Sequence, residues 1–264
     1  MKVGLLLERV RKDQPLVHHI TNWVTIYDCA QIVKAFGASP VMAHAPEEAA
    51  EMTAEHAGAL VLNIGTLTKE LIEAMLLAGK AANDKEVPIV LDACGAGATG
   101  FRNKESMRLL DKLKIDILKG NASEIAFIAG ERVKTRGVDA GEVGREPAAT
   151  AAGLARERKC TVVITGKQDV VAGPDGRLLR VDNGHPLMAR VVGTGCMAAS
   201  VIGTFAAVGE DMSEAAAAGL ACYEIAAELA AKKAKAPGTF KALLFDRVAD
   251  LSSGLADKLA KIST

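Results

Sequence analysis

Aromatic side chains are scarce in this 264-residue chain: one Trp, two Tyr and six Phe. Half of all residues are nevertheless apolar, so Ala, Val, Leu and Ile must fill the core. No sign of charge dominates, with 32 Lys plus Arg set against 32 Asp plus Glu, and nothing argues for nucleic acid or a membrane surface as partner. Long apolar runs are missing as well. The Ala-rich stretch 213–231 is interrupted by Glu214, Glu224 and Glu228, which leaves no span of ~20 uncharged apolar residues. Paired cysteines are also lacking. The five cysteines, at 29, 94, 160, 196 and 222, contain no C-x-x-C, which speaks against a structural zinc site or a disulfide framework and fits a reducing cytoplasm. His18, His19, His44 and His185 have no metal-ligand spacing, so structural or surface roles are expected for them. The first 16 residues lack the apolar segment of a secretory signal and read as a short amphipathic helix.

What is present is an alternation of short β-branched runs with helical patterns. Strands are expected at 16–20, 59–63, 88–91, 115–118 and 161–164, with a hairpin at 170–172 and 178–181 around Gly173-Pro-Asp-Gly176. Residues 39–44 read as a brief extended piece. Helices are expected at 24–36, 47–56, 68–83, 104–112, 123–129 and 147–158, and then at 196–208, 213–234 and 240–261. Residues 132–144 read as a polar surface loop. This order predicts a single α/β domain over 1–264, with a mostly parallel central sheet and helices on both faces.

In such sheets ligands sit beyond the C-terminal ends of the strands, and the distinctive residues of this chain fall there. The run ALVLN delivers Asn63 and then Gly65; PIVL delivers Asp92 and a Gly-rich turn; DILKG delivers Lys119 with Asn121 and Glu124; TVVI delivers Thr165 and Gly166. The strongest single feature is Gly193-Thr-Gly-Cys196 at the start of an apolar helix. Helix N-termini carry unpaired N–H groups and a partial positive charge, and glycines admit close backbone approach, which suits a phosphate and favours the Cys196 thiolate. Gly193, Thr194 and Gly195 are therefore a candidate anion hole. GAGATG at 95–100 also fits the dinucleotide fingerprint, but the following helix is delayed, and Asp116 opens its strand instead of closing it. Asn121-Ala-Ser-Glu124 reads either as a capping box or as an acidic anchor, with Asp92, for nucleotide-bound Mg²⁺. Lys119 reads as a phosphate-facing cation or a solvated lysine, and Met42 and Met188 read first as core filler.

Five segments occur in order: PLVHHITN at 15–22, GASPVMAHAPEE at 37–48, NASE at 121–124, NGHPLM at 183–188 and GTGC at 193–196. Together they closely resemble the hydroxyethylthiazole kinase family, and the resemblance runs from about residue 3 to the C-terminal helix. It implies a ribokinase-like fold, ATP with Mg²⁺, a homotrimer with active sites at subunit interfaces, and phosphorylation of 4-methyl-5-(2-hydroxyethyl)thiazole in thiamine salvage. By the same resemblance, Met42 contacts the thiazole from a neighbouring subunit, with Gly193, Asn22 and Gly65 on its other side. Lys119, Thr165, Asn121 and Gly166 fall on the ATP side and Asp92 and Glu124 on the magnesium side. Cys196 stands where many relatives of the fold carry an aspartate base. Two positions depart from the family pattern: Lys119 replaces the usual Arg, and Asp92-Ala-Cys-Gly-Ala-Gly97 replaces Asp-Pro-Val-Gly-Ala-Gly. A hydroxymethylpyrimidine kinase of the same fold is an alternative, opposed by the HAPEE block; a thiazole-binding protein without catalysis is another.

Overall fold

Short runs of Val, Ile and Leu, buried on both sides, make the centre of the molecule. The computed structural model describes residues 2–131, 134–136, 139–142 and 146–264. Its strands are β1 (Leu16–Ile20), β2 (Ser39–Val41), β3 (Ala59–Asn63), β4 (Ile89–Asp92), β5 (Ile117–Asn121), β6 (Lys134–Arg136), β7 (Asp139–Glu142), β8 (Thr161–Thr165), β9 (Asp169–Ala172), β10 (Leu178–Val181) and β11 (Ile262–Ser263). All but β6 and β7 join one sheet in the order β11-β10-β9-β8-β5-β4-β3-β1-β2. Every pairing from β2 across to β8 is parallel, so these strands end on a common edge. β9, β10 and β11 add antiparallel strands on the far side.

The helices are α1 (Val3–Asp13), α2 (Ile26–Phe36), α3 (Pro46–His56), α4 (Lys69–Asp84), α5 (Gly100–Lys112), α6 (Ala122–Ile128), α7 (Pro147–Arg158), α8 (Thr194–Ala206), α9 (Met212–Ala231), α10 (Pro237–Asp250) and α11 (Ser253–Leu259). Successive strand side chains point to opposite faces. Val17, Val61 and Val90 pack with α1, α2 and α8 to α11, whereas Leu60, Leu62 and Leu91 pack with α4 to α7. The fold is therefore a helix–sheet–helix sandwich. α8 lies directly on the sheet because Gly203 offers no side chain; a Cβ there would collide with Val61 Cγ2. Phe36 and Phe205 meet edge to face at 5.5 Å behind it.

Several boundaries differ from the sequence reading. α5 starts at Gly100, capped by the Thr99 hydroxyl, so the helix after the 95–100 turn is not delayed as expected. The helix expected over 240–261 breaks at Leu251, whose backbone is extended, and Ser252 caps α11 through its hydroxyl. The chain then adds β11 to the sheet edge. β5 starts at Ile117 because the Asp116 carboxylate is used to accept the Ile89 N–H at 2.9 Å. That contact gives Asp116 a structural task and removes it as the acid of a dinucleotide fingerprint. The expected loop 132–144 contains the β6–β7 hairpin, while residues 132, 133, 137, 138 and 143–145 lie outside the described residues. The described residues include no helix long and apolar enough to cross a membrane.

Candidate active site

α8 begins without a cap. Gly193 is its N-cap residue in the left-handed region, at φ 93°, and no side chain accepts from the first turn. The Thr194 hydroxyl turns away to the carbonyls of Met188 and Val191, at 3.0 and 3.3 Å. The donors of the first helical turn and the helix's positive end thus face the cavity before them. Lys119 reinforces that charge: a Cβ built on Gly195 would stand 3.4 Å from its Nζ.

A polar relay joins this turn to three strand ends. Asn22 Nδ2 donates to the Cys196 sulfur at 3.3 Å and to Asn63 Oδ1 at 3.0 Å. Its Oδ1 accepts from the Val24 and Thr25 N–H groups and the Thr25 hydroxyl, each at 3.1 Å, which fixes the amide's orientation. Asn63 Nδ2 donates to Asp92 Oδ2 at 2.6 Å, and Lys119 Nζ donates to Asp92 Oδ1 at 3.0 Å. Both ends of that ion pair are buried. Burial lifts the Asp92 carboxyl to about 7 while the Lys119 ammonium pulls it down. For Lys119, burial works to lower the pKa, but the carboxylates of Asp92 and Glu124 outweigh it, and the group stays cationic.

The Cys196 thiol is held down to about 5, chiefly by a hydrogen bond from the Cys94 thiol. Burial opposes that shift, and the positive charge of Lys119 supports it. Cys94 is correspondingly raised, by its bond to Cys196 and by burial.

Glu124 anchors the opposite wall. Asn121 and Glu124 form a complete capping box at the start of α6, with Asn121 N–H on Glu124 Oε2 at 2.7 Å and Glu124 N–H on Asn121 Oδ1 at 3.0 Å. Glu124 Oε1 also accepts the Gly95 N–H at 2.7 Å, so one carboxylate ties α6 to the turn after β4. Burial raises its pKa against the pull of Lys119 and these two N–H groups. From the first turn of α5, Arg102 reaches the carbonyls of Ile64, Cys94 and Gly65 at 2.7, 2.9 and 2.6 Å and pins the two glycine turns together.

These groups enclose a cavity of about 480 Å³. Asn22, Gly65, Asp92, Lys119, Asn121 and Glu124 line it, as do Thr165 and the turn 193–196. A second cavity of about 680 Å³ adjoins it, sharing Thr165, Ala189, Thr194 and Gly195, and contains Gly166. Met42 lies outside both, half-buried just beyond the edge strand β2. Met188, read as core filler, packs against the core and also lines the larger cavity. Sequence reasoning did not reach Asp169 and Glu224, which face that cavity. Burial and the neighbouring carboxyl push Glu224 up to about 11, so it holds a proton toward Asp169, which burial lifts to about 6. His18 is spent structurally, on the Thr53 hydroxyl at 2.7 Å and the Ala43 carbonyl at 2.6 Å.

The described residues include no cluster of three or more His, Cys, Asp or Glu placed to hold a metal alone. Mg²⁺ takes one or two carboxylates and completes its shell with phosphate oxygens and water. Asp92 and Glu124 line the same cavity as the uncapped helix turn. Their oxygens already accept from Lys119, Asn63, Gly95 and Asn121, so an ion carried in on a nucleotide would meet them through remaining lone pairs or through water.

The sequence pattern of the hydroxyethylthiazole kinase family matches residues 7–254. A hydroxyethylthiazole kinase of Methanosarcina acetivorans is 53% identical over 246 residues, covering 93% of this chain and 94% of the relative. That of Methanosarcina mazei is 52% identical over 257 residues, 97% of each chain. Among solved structures, the hydroxyethylthiazole kinase protein of Pyrococcus horikoshii superposes with a TM-score of 0.89 at 41% identity, covering 99% of this chain and 98% of that one. A ribokinase-like superfamily protein from Enterococcus faecalis shares the fold at a TM-score of 0.68 and 13% identity, covering 96% of each chain. The chain belongs to the hydroxyethylthiazole kinase family and has a ribokinase-like fold.

Proposed function

We propose that this chain, as one kinase domain, transfers the γ-phosphoryl group of ATP to the hydroxyethyl group of 4-methyl-5-(2-hydroxyethyl)thiazole, the salvage step of thiamine synthesis. The observation that carries the reading is the uncapped α8 N-terminus opening, beside the Cys196 sulfur, onto two adjoining cavities. One has room for an alcohol and the phosphates, the other for the rest of a nucleotide. The N–H groups of Thr194, Gly195 and Cys196 bind the oxygens of the phosphoryl group in transfer. Lys119 adds a fixed cation beneath them. Phosphoryl transfer is largely dissociative, so alignment and charge neutralisation matter more than a strong base. Cys196, held as thiolate, accepts the alcohol proton late in the reaction, and Asn22 keeps the sulfur oriented through its 3.3 Å contact. Mg²⁺, when bound with ATP, neutralises phosphate charge on the Asp92 and Glu124 side. Thr165, Asn121 and Gly166 border the nucleotide, and Asn22, Gly65 and Gly193 the thiazole.

Met42 has no place in the cavities of its own chain, and we assign it to the thiazole site of a neighbouring subunit in a trimer. The support is an apolar surface at the cavity mouth: Val24 and Val192 line the cavity yet are 67% and 73% exposed, and Trp23 and Tyr27 stand nearby at 49% and 69%. Burial of these groups against another copy would complete the site. The reading places the enzyme in the cytoplasm with its ATP supply. A coupled ADP-release assay with Mg-ATP tests it, comparing the thiazole alcohol with hydroxymethylpyrimidine. Release with the thiazole alone is expected. Release with the pyrimidine alone would move the substrate, and release with neither would leave a binding protein.

A further inference from the structure

The N-termini of two helices meet at the anion-binding turn. Thr25, the N-cap residue of α2, packs closely on Gly193, the N-cap residue of α8: a Cβ on the glycine would stand 2.6 Å from Thr25 Cγ2. The two helix ends differ in charge. α8 has no acidic residue in its first turn, whereas α2 has Asp28 in its own. A carboxylate there suits the positive end of α2. It also lies beside the turn that is to receive phosphate, since the same Cβ on Gly193 would be 4.0 Å from Asp28 Oδ2. Asp28 is buried, so salt and water screen its charge poorly. A third element supplies the counter-charge. Lys241, on α10, donates to Asp28 Oδ2 at 2.7 Å and is the one cation paired with this carboxylate among the described residues. Lys241 itself lines neither cavity.

We propose that Lys241 is a positioning residue for phosphoryl transfer: held on Asp28, it cancels the carboxylate charge beside Gly193 and so keeps the first turn of α8 able to bind an anion. Lys241 acts through Asp28 and not on the substrate. Without it, the α2 carboxylate opposes the phosphate oxygens that the N–H groups of Thr194, Gly195 and Cys196 receive. Two like charges several ångströms apart in a partly buried site weaken binding by ~10-fold or more. The ion pair also fixes the Asp28 side chain between α2 and α10, which keeps its charge from turning toward the cavity. The effect on turnover rests on the kinase reading above; the effect on anion affinity does not.

The test compares full-length wild type with Lys241→Met, Lys241→Arg, Asp28→Asn and the double variant Lys241→Met/Asp28→Asn. Dissociation constants for pyrophosphate and for Mg-ATP are measured beside the melting temperature and the kinetics with the thiazole alcohol. Lys241→Met should bind pyrophosphate ~10-fold or more weakly and raise the KM for ATP in the same proportion. Lys241→Arg and the double variant should both return to within about threefold of wild type, one by keeping the cation and the other by removing the carboxylate. Asp28→Asn alone keeps the shape of the side chain and leaves the lysine unbalanced, so pyrophosphate should bind about threefold or more tightly. That variant decides the point even if Lys241→Met does not fold. A lower melting temperature with unchanged anion affinity in Lys241→Met would mark a merely structural ion pair and overturn the proposal. Weakened binding that Asp28→Asn does not recover, or Asp28→Asn alone binding no tighter than wild type, overturns it as well. Wild type binding neither anion refutes the anion site and the proposal with it. The expected affinities in a protein that transfers no phosphoryl group to the alcohol would refute the kinase reading alone.

Discussion

Replacing Lys119 by Met leaves Asp92 buried without its cation, and the size of the penalty can be worked out. In the native chain burial has already lifted the Asp92 carboxyl to about 7 against the pull of Lys119, so in Lys119→Met it stays protonated at neutral pH. Protonating at about pH 7 a carboxyl whose unfolded pKa is about 3.9 costs about 1.4 kcal/mol per pH unit, or about 4 kcal/mol. That agrees with the ~3–5 kcal/mol typical of a broken buried ion pair. The sign follows from linkage. A folded pKa raised above the unfolded value gives stability that is complete below the unfolded pKa and is lost as pH rises. At about pH 5.5 the same cost is therefore only about 2 kcal/mol. The double variant Lys119→Met/Asp92→Asn has no proton to bind and keeps a donor-acceptor partner for Asn63. Urea unfolding of the single and double variants at the two pH values is the assay. The single variant should be less stable by about 4 kcal/mol near pH 7, and the gap should halve near pH 5.5. Equal stabilities at neutral pH, or a gap that ignores pH, would show that Asp92 is not the strained partner.

The thiolate state of Cys196 has a direct readout: iodoacetamide should label it first, at a rate that rises through about pH 5 and is flat by neutrality. A rate still climbing above about pH 8 would mean an ordinary thiol. Glu224→Gln should leave thermal stability unchanged in acid and raise it in mild alkali by ~3 °C or more, because the buried acid resists ionising while its unfolded counterpart ionises freely. Matching melting curves for both proteins at all pH values would contradict the shared proton. Gly193→Ala puts a Cβ 2.6 Å from Thr25 Cγ2 at a φ of 93°. It should cost ~1–3 kcal/mol in thermal unfolding and lower turnover, since the anion-binding turn must shift. Native melting and turnover together would show that the turn tolerates a side chain.

Much of the architecture was legible because the signals were local. Runs such as ALVLN and TVVI are too short and apolar for anything but buried strands, and their ends named Asp92, Lys119 and Thr165 as neighbours across one edge. The NASE spacing gave the capping box, and the GTGC turn gave the start of α8 within two residues. What stayed hidden depends on how distant elements meet. Nothing near Cys94 in sequence indicates that β4 ends against the first turn of α8, or that Glu224 on α9 meets Asp169 at the start of β9. Arg102 fell in the expected turn before a helix at 104, yet it stands in the first turn of α5 and binds three carbonyls from two turns. The break after α10 escaped notice because apolar spacing continues across Leu251, while the stop comes from one extended residue and the Ser252 cap.

The central claim is that the phosphoryl group is transferred at the α8 N-terminus with Cys196 as proton acceptor. Turnover of Cys196→Ala with Mg-ATP and the thiazole alcohol, with substrate binding measured alongside, tests it most directly. The account predicts binding within a few-fold of wild type and turnover lower by ~10²–10⁴-fold, the usual loss when acid–base help is removed. Turnover equal to wild type would contradict it and reduce Cys196 to a wall of the cavity.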